Sequence, residues 1–385
     1  MPSPEPSAPA PASPTPGGGG PRTAHSEPLV LAVNPGSTST KLGLFAGSEQ
    51  LWSITLPLDD VVLAGFRGRP ITDQLDLRTA ACESALAQHG VPPRALSAVV
   101  GRGGLLPPLA SGTYAVTPRM LADLEAHVRG EHASNLGALI AARLASAAGC
   151  AAFIVDPVSV DEWEAPARLS GLAGLDRPVL SHALNTKAIA GRYARECGVA
   201  YERLRLVVIH LGSGTTVSAH LAGRMVDASN AREEGPFSME RAGGVPAMKL
   251  AELATSPGMT FAELERLLFR EGGVFSYLGT RDLREVLARI EAGDAQASLV
   301  LEAMLYQTCK EAGAMAAVLE GRVDAVLLTG GLVHASLVAD SLTRRLQWIA
   351  PVHVYPGEDE LRALAEGALR VLRGEEQARA YAPTG

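Results

Sequence analysis

Two stretches of this chain resemble each other although about 160 residues of other sequence separate them. The first is Leu29-Val-Leu-Ala-Val-Asn-Pro-Gly-Ser-Thr-Ser-Thr-Lys41-Leu-Gly-Leu-Phe45, and the second is Leu206-Val-Val-Ile-His-Leu-Gly-Ser-Gly-Thr-Thr-Val-Ser-Ala-His220. Each passes from an apolar strand through a Gly/Ser/Thr turn into an alternating strand, which is the pattern of a hairpin. Glycine lets backbone approach a ligand closely, and small hydroxyl residues add donors to the exposed N–H groups, so such turns suit phosphate. Two of them in one chain predict two related halves gripping one nucleotide.

The 385 residues provide for two sizeable cores, and 47% of them are apolar. No uncharged apolar run reaches the roughly 18 residues of a membrane span. The net charge of −7 and the lack of a Lys/Arg block argue against nucleic acid as a partner. Lysine is confined to Lys41, Lys187, Lys249 and Lys310, so a lysine inside a glycine-rich turn stands out. Cys82, Cys150, Cys197 and Cys309 are scattered without metal-type spacing, as expected of free thiols in a reducing cytoplasm. Residues 1–28 are rich in Pro, Ala and Gly and lack the basic and apolar regions of a secretory signal, so they read as a disordered leader.

Strands and helices alternate along the rest, which predicts an α/β protein. Helices are expected over 73–89 with Thr72 as cap, over 117–128 with Pro118 in the first turn, over 135–148, and over 182–197. Polar residues gather where strands end, the place where α/β sheets bind ligands. Asn34, Ser37, Ser39 and Lys41 follow the first strand, Arg102 the strand at Leu96, and Asp156 the strand at Ala151. His210 closes the strand at Leu206, and Gly330 and Gly331 close the strand at Val323. Neither a complete G-x-x-x-x-G-K-[ST] nor a complete G-x-G-x-x-G is present, so a nucleotide must be held by another arrangement.

Nine short segments, in order along the chain, carry a resemblance. They are Asn34-Pro-Gly-Ser-Thr-Ser-Thr-Lys41, Val100-Gly-Arg-Gly-Gly-Leu-Leu106, His132-Ala-Ser-Asn-Leu-Gly137, Ile154-Val-Asp-Pro-Val158 and Ser181-His-Ala-Leu-Asn185. The others are His210-Leu-Gly-Ser-Gly214, Glu234-Gly-Pro-Phe237, Leu328-Thr-Gly-Gly331 and Tyr355-Pro-Gly-Glu-Asp-Glu360. In these the chain resembles the butyrate kinases, short-chain fatty acid kinases of the acetate kinase branch of the sugar kinase, heat-shock chaperone and actin superfamily. The resemblance implies two actin-like, ribonuclease H-like domains with a nucleotide cleft between them. Its boundaries would be 29–157 plus 356–385 for one domain and 158–355 for the other. It also implies reversible phosphoryl transfer from Mg-ATP to a short-chain carboxylate, giving ADP and an acyl phosphate, in a homo-oligomer.

The chemistry of the residues agrees with that implication. A fatty acid carboxylate, with a pKa near 4, is already ionised at neutral pH and needs no general base. The site must instead hold two anions together and neutralise the charge on the moving phosphoryl, which calls for Arg, His, Lys and a metal ion. By resemblance, Arg102 holds the acceptor carboxylate, His210 hydrogen-bonds the transferring phosphoryl, and Arg241 neutralises phosphate. Asn34, Ser37, Ser39 and Lys41 correspond to the first phosphate turn, and Gly212 and Gly214 to the second. Asp156 corresponds to an aspartate near the metal, Asp359 or Glu360 to the acidic turn that helps hold Mg²⁺, and Asp282, Arg284, Gly330 and Gly331 to the adenosine side. His132 and His182 occupy motif positions and are equally open to a structural reading.

Ser213 departs from the family pattern, standing where glycine is usual; it costs about 1 kcal/mol or more if its φ is positive and little otherwise. Met239 and Ala242 are further departures beside Arg241. Acetate, propionate or isobutyrate are rival acceptors, since one methylene changes affinity by only about 1–3 kcal/mol. A silent nucleotide-binding regulator and a sugar kinase are the rivals from other classes. Arg102, His210 and Arg241 together argue against the first, and an arginine among glycines suits an anionic acceptor better than a sugar.

Overall fold

The computed structural model describes residues 27–230 and 233–382, so the expectation for the leader lies almost wholly outside the described residues. Two sheets organise the chain. The first comprises β1 (Leu29–Pro35), β2 (Ser39–Ala46), β3 (Glu49–Pro57), β4 (Ala98–Arg102), β5 (Thr113–Ala115) and β6 (Ala151–Val155), in spatial order β3-β2-β1-β4-β6-β5. The second comprises β7 (Arg205–Leu211), β8 (Thr215–Leu221), β9 (Arg224–Ala228), β10 (Ala325–Gly330) and β11 (Val352–Pro356), ordered β11-β10-β7-β8-β9. In both, an antiparallel meander of three strands is extended by two parallel strands beside its first member. The β1–β2 hairpin pairs Leu29 with Ala46 and the β7–β8 hairpin pairs Arg205 with Leu221. The two halves anticipated from the paired turns are therefore the same sheet built twice, with β5 as an extra edge strand on the first.

Alternation along the central strands explains how each sheet is covered. On β1, Leu29, Leu31 and Val33 pack with Cys82, Leu86, Leu136 and Ile140 from the helices Leu75–Gln88 and Asn135–Ala148. Val30 and Ala32 point the other way, onto Leu364, Ala365 and Ala368 of the C-terminal helix Glu360–Leu372. A strand covered on both faces reads as a continuous apolar run, and β1 is buried throughout and apolar from Leu29 to Val33. The second sheet repeats the scheme. Val207, Ile209 and Leu211 face the long helix Ala295–Val318, while Leu206 and Val208 face Ile189 and Tyr193 of the helix Ala183–Cys197. The C-terminal helix thus returns to the first sheet after β11 has joined the second.

Local signals set most element ends. Thr117 caps the helix Pro118–Glu125 by accepting from the Met120 N–H, and Asn135–Ala148 stops at left-handed Gly149. One expectation is corrected: the first long helix begins at Leu75, with Gln74 rather than Thr72 at its N-cap, because residues 71–74 wind a tighter 3-10 turn. Among the described residues no helix is long and apolar enough to cross a membrane.

Close backbone packing fixes where the functional strand ends lie. A Cβ on Gly101 would sit 2.1 Å from the Gly137 carbonyl oxygen, and one on Gly137 would sit 2.1 Å from the Arg102 carbonyl oxygen. Only glycine permits that approach, so β4 lies backbone to backbone against the start of the helix Asn135–Ala148. Its end, bearing Arg102, is held rigidly.

Candidate active site

The carboxyl ends of β1, β4, β7 and β11 converge, and they bring together residues far apart in sequence. Asn34, at the end of β1, donates from Nδ2 to Glu360 Oε2 at 2.5 Å. Arg102, at the end of β4, donates from Nη1 to the same oxygen at 3.0 Å and to Asn34 Oδ1 at 3.4 Å. Glu360 is buried and begins the C-terminal helix, so its carboxylate also faces the positive end of that helix. Arg102 Nε is buried without a protein partner. A guanidinium held by one edge with an unmatched donor is suited to a further anion.

His210 stands opposite on β7, fully buried. Its Nδ1 lies 2.8 Å from Asn185 Oδ1, and Asn185 Nδ2 donates to the Glu358 carbonyl oxygen at 2.6 Å. Because the amide's donor is committed to that carbonyl, its oxygen must accept, so Nδ1 of His210 carries the proton. The other nitrogen, Nε2, faces the turn: it lies 3.9 Å from Glu358 Oε1 and 3.1 Å from where a Cβ on Gly212 would be. Burial pulls the imidazole down to about 4, opposed by the neighbouring Glu360 carboxylate and assisted by Arg102 and Arg241. At neutral pH His210 is therefore uncharged. His182 stacks on it with ring centroids 4.1 Å apart, and burial first, then His210 and the arginines, hold it well below the usual histidine range.

The second phosphate turn follows directly. Gly212 N–H donates to the Gly214 carbonyl at 3.0 Å, closing the turn. A Cβ on Gly214 would lie 2.5 Å from Arg241 Nη1, so that guanidinium covers the turn. Ser213 is not among the residues with positive φ, so its departure from glycine carries no backbone strain. Its carbonyl accepts the Ser238 hydroxyl at 2.5 Å, and the Ser238 oxygen accepts from the Arg241 N–H at 3.2 Å. Those bonds tie the loop bearing Arg241 to the turn it covers.

Glu358 links the two halves of the cluster. Its side chain is partly exposed, 3.9 Å from His210 and 4.0 Å from the exposed Lys41 ammonium. Burial, then the adjacent Glu360 charge, pushes its carboxyl up, against the pull of Lys41 and Arg102. The two neighbouring carboxylates offer oxygen ligands to a hard cation that takes its remaining ligands from water and phosphate, as Mg²⁺ does. Among the described residues no group of three His, Cys, Asp or Glu side chains forms a self-sufficient metal cage, so such an ion would depend on the phosphates it arrives with.

Asn34, Lys41, Arg102, His210, Gly212, Gly214, Arg241 and Glu360 are thus assembled in one place. Other expected residues are engaged elsewhere. The Asp156 carboxylate accepts from the Ser111 hydroxyl at 2.6 Å and the Gly112 N–H at 2.8 Å, and the charges bearing on it are Lys187 and Arg370 rather than Arg102 or His210. Asp156 also has a φ of 38°, a left-handed conformation at the crossover from β6. Asp359 turns outward to Arg362 at 3.2 Å, so of the acidic turn it is Glu358 and Glu360, not Asp359, that face the cluster. Asp282 caps the helix Leu283–Glu291 and pairs with the exposed Arg284 at 2.6 Å. Gly330 exchanges backbone hydrogen bonds with Gly357, and Gly331 has open space beside it. Ser37 and Ser39 contribute their carbonyls inward, to Arg78.

Sequence reasoning missed Glu358, Asn185 and Arg78. The first two lie inside matched motifs. Arg78 left a fainter mark, as the one charged residue on the apolar stripe Leu75, Thr79, Cys82 and Leu86 of its helix.

Comparison with known proteins bears on family and fold. The profile of the Acetokinase family matches residues 180–351. A protein of Caldanaerobacter subterraneus subsp. tengcongensis named "Probable butyrate kinase 2" is 46% identical over 352 residues, spanning 91% of this chain and 99% of that one. Among solved structures, Porphyromonas gingivalis acetate kinase superposes with a TM-score of 0.75 at 20% identity, over 90% of this chain and 100% of its own. A propionate kinase from Francisella tularensis gives 0.69 at 18% identity, over 88% of this chain and 98% of its own. These structures share the fold. With nearly half its residues identical over almost the whole length of a curated relative, the chain belongs to the acetokinase family.

Proposed function

We propose that the protein transfers the terminal phosphoryl of ATP to a short-chain fatty acid, with butyrate as the reference acceptor, and that it runs the reaction in either direction. The observation that carries this reading is the convergence of Arg102, Arg241, Lys41 and neutral His210 on one point between the two glycine turns. Glu360 is bound by Asn34 and Arg102, and an acceptor that arrives ionised needs no general base.

In this reading the boundaries are 29–157 with 356–385 for one domain and 158–355 for the other, and the substrates meet between them. Arg102 binds the acceptor carboxylate through its unmatched edge. Arg241 and the glycine turn at Gly212–Gly214 that it covers take the phosphates. Asp282, Arg284, Gly330 and Gly331 take the nucleoside. His210, held by Asn185, presents Nε2 to the phosphoryl. As the neutral tautomer it accepts a hydrogen bond there, and it donates one only after the incoming negative charge has raised its proton affinity. Mg²⁺, when bound with ATP, would neutralise phosphate charge, and Glu358 and Glu360 are the residues placed to hold it through water. The strained Asp156 acts from the crossover rather than from the reacting centre.

The test is release of ADP by purified protein with Mg-ATP, trapping the acyl phosphate as a hydroxamate. Acetate, propionate, butyrate, isobutyrate and valerate form the panel. A maximum at four or five carbons is expected. Nucleotide binding without hydroxamate from any acid would overturn the reading.

A further inference from the structure

Arg78 is among the largest fully buried side chains of the described residues, 1% exposed, and it lies directly behind the first glycine turn. All five of its N–H donors are used. Nε and Nη2 donate to Gln74 Oε1 at 3.0 and 2.9 Å, and Nη1 donates to the Ser39 carbonyl and to Thr40 Oγ1, each at 3.0 Å. Nη2 also donates to the Ser37 carbonyl at 3.2 Å. Every one of these partners is neutral, and among the described residues no carboxylate pairs with this guanidinium. Burial lowers it to about 10, so it keeps its charge at neutral pH.

An uncompensated buried cation is costly, and an apolar residue of similar size would serve the core better. The position of the charge gives it a purpose. In a trans peptide unit the carbonyl and the following N–H point in opposite directions. Drawing the Ser37 carbonyl inward to Arg78 therefore aims the Thr38 N–H outward, away from the helix Leu75–Gln88. The Ser39 carbonyl is held twice, by Arg78 and by the Gly36 N–H at 2.8 Å, so the turn has no freedom to flip. Lys41 and Asn34, on either side of this turn, reach the cluster through Glu358 and Glu360.

We propose that Arg78 is a positioning residue for the terminal phosphoryl group: it locks the first turn with the Thr38 amide facing outward, and its buried charge finds its counter-ion only when a phosphate binds. The inference rests on the functional reading above, in which the nucleoside lies on the second sheet and the first turn faces the terminal phosphate. The residue then matters to ATP and far less to ADP, a distinction that a purely structural role would not produce.

The experiment measures binding of Mg-ATP and Mg-ADP by calorimetry to the whole protein and to Arg78→Met, Arg78→Lys and Thr40→Val, with thermal melts to establish folding. Wild type is expected to bind both nucleotides. Arg78→Met should weaken ATP at least tenfold and ADP less than twofold. Arg78→Lys, which keeps the charge without the fork, should recover part of the loss. Thr40→Val removes one contact with little change of volume, so it answers the question even where the Arg78 variants fail to fold; a two- to fivefold loss confined to ATP is expected. Equal effects on ATP and ADP, or none, in the folded variants would overturn the proposal and leave the kinase reading standing. A wild-type protein that binds neither nucleotide would overturn both.

Discussion

His220, near the end of β8 remote from the second phosphate turn, offers a test of the buried polar framework whose size follows from the structure. Its ring is fully buried, with Nδ1 at 2.6 Å from the Tyr201 hydroxyl and Nε2 at 2.8 Å from the Ser218 hydroxyl. Burial, with a smaller contribution from Lys187, lowers it to about 3. In the unfolded chain it titrates near 6.5. Between those values the unfolded state binds a proton that the native state refuses, so stability rises with pH. The contribution is fully present above about pH 6.5 and is lost as pH falls toward 3. At 1.36 kcal/mol per pH unit once the unfolded histidine is protonated, acidification from pH 7 to 5 costs about 2 kcal/mol for this one residue. His220→Gln removes that term but loses hydrogen bonds, which costs about 1–3 kcal/mol at neutral pH. The variant is therefore less stable at pH 7, and the gap should narrow by about 2 kcal/mol at pH 5, where only the wild type bears the protonation cost. Urea unfolding at pH 7, 6 and 5 measures the gap directly. A gap that stays constant, or widens on acidification, would refute the argument.

Other outcomes follow from the site. Gly214→Ala forces only the flexible end of Arg241 aside, so the melting temperature should shift by a few degrees while kcat falls at least tenfold; an unchanged kcat would detach Arg241 from the reaction. Gly101→Ala instead drives a methyl into the Gly137 backbone and should lower stability by about 3 kcal/mol or prevent folding, measured by the same melts. Arg102→Ala should raise the KM for the carboxylate far more than that for ATP, and equal losses would end its role as acceptor ligand. Asn185→Leu deprives His210 Nδ1–H of its acceptor and should lower kcat with both KM values nearly unchanged, which steady-state kinetics of the folded variant will decide.

Much of this protein could be read along the chain because the relevant signals are local. Hairpin patterning, helix signals and strand alternation act over a few residues, so the duplicated β1–β2 and β7–β8 units, the helix with Pro118 in its first turn and the stop at Gly149 were all legible. Asn34, Arg102 and His210 stood out as polar residues stranded at the ends of apolar runs, and Arg241 through the family resemblance of its loop. The motifs did not tell Glu358 and Glu360 apart from Asp359, because three adjacent acidic residues look alike until the left-handed backbone at Asp359 turns its side chain outward. Nor did they show that Asp156 is taken up by Ser111 and Gly112.

The sequence by itself determined the class of fold, its internal duplication and the types of side chain available for moving a phosphoryl between two anions. The tertiary structure alone decided which of those side chains meet, which tautomer His210 holds through Asn185, and that a buried arginine braces the first turn from behind. The reason is physical. Propensity and periodicity are encoded within a turn or two of chain, whereas a contact such as Arg102 with Glu360 joins residues 258 positions apart and exists only once the C-terminal helix has packed on the first sheet.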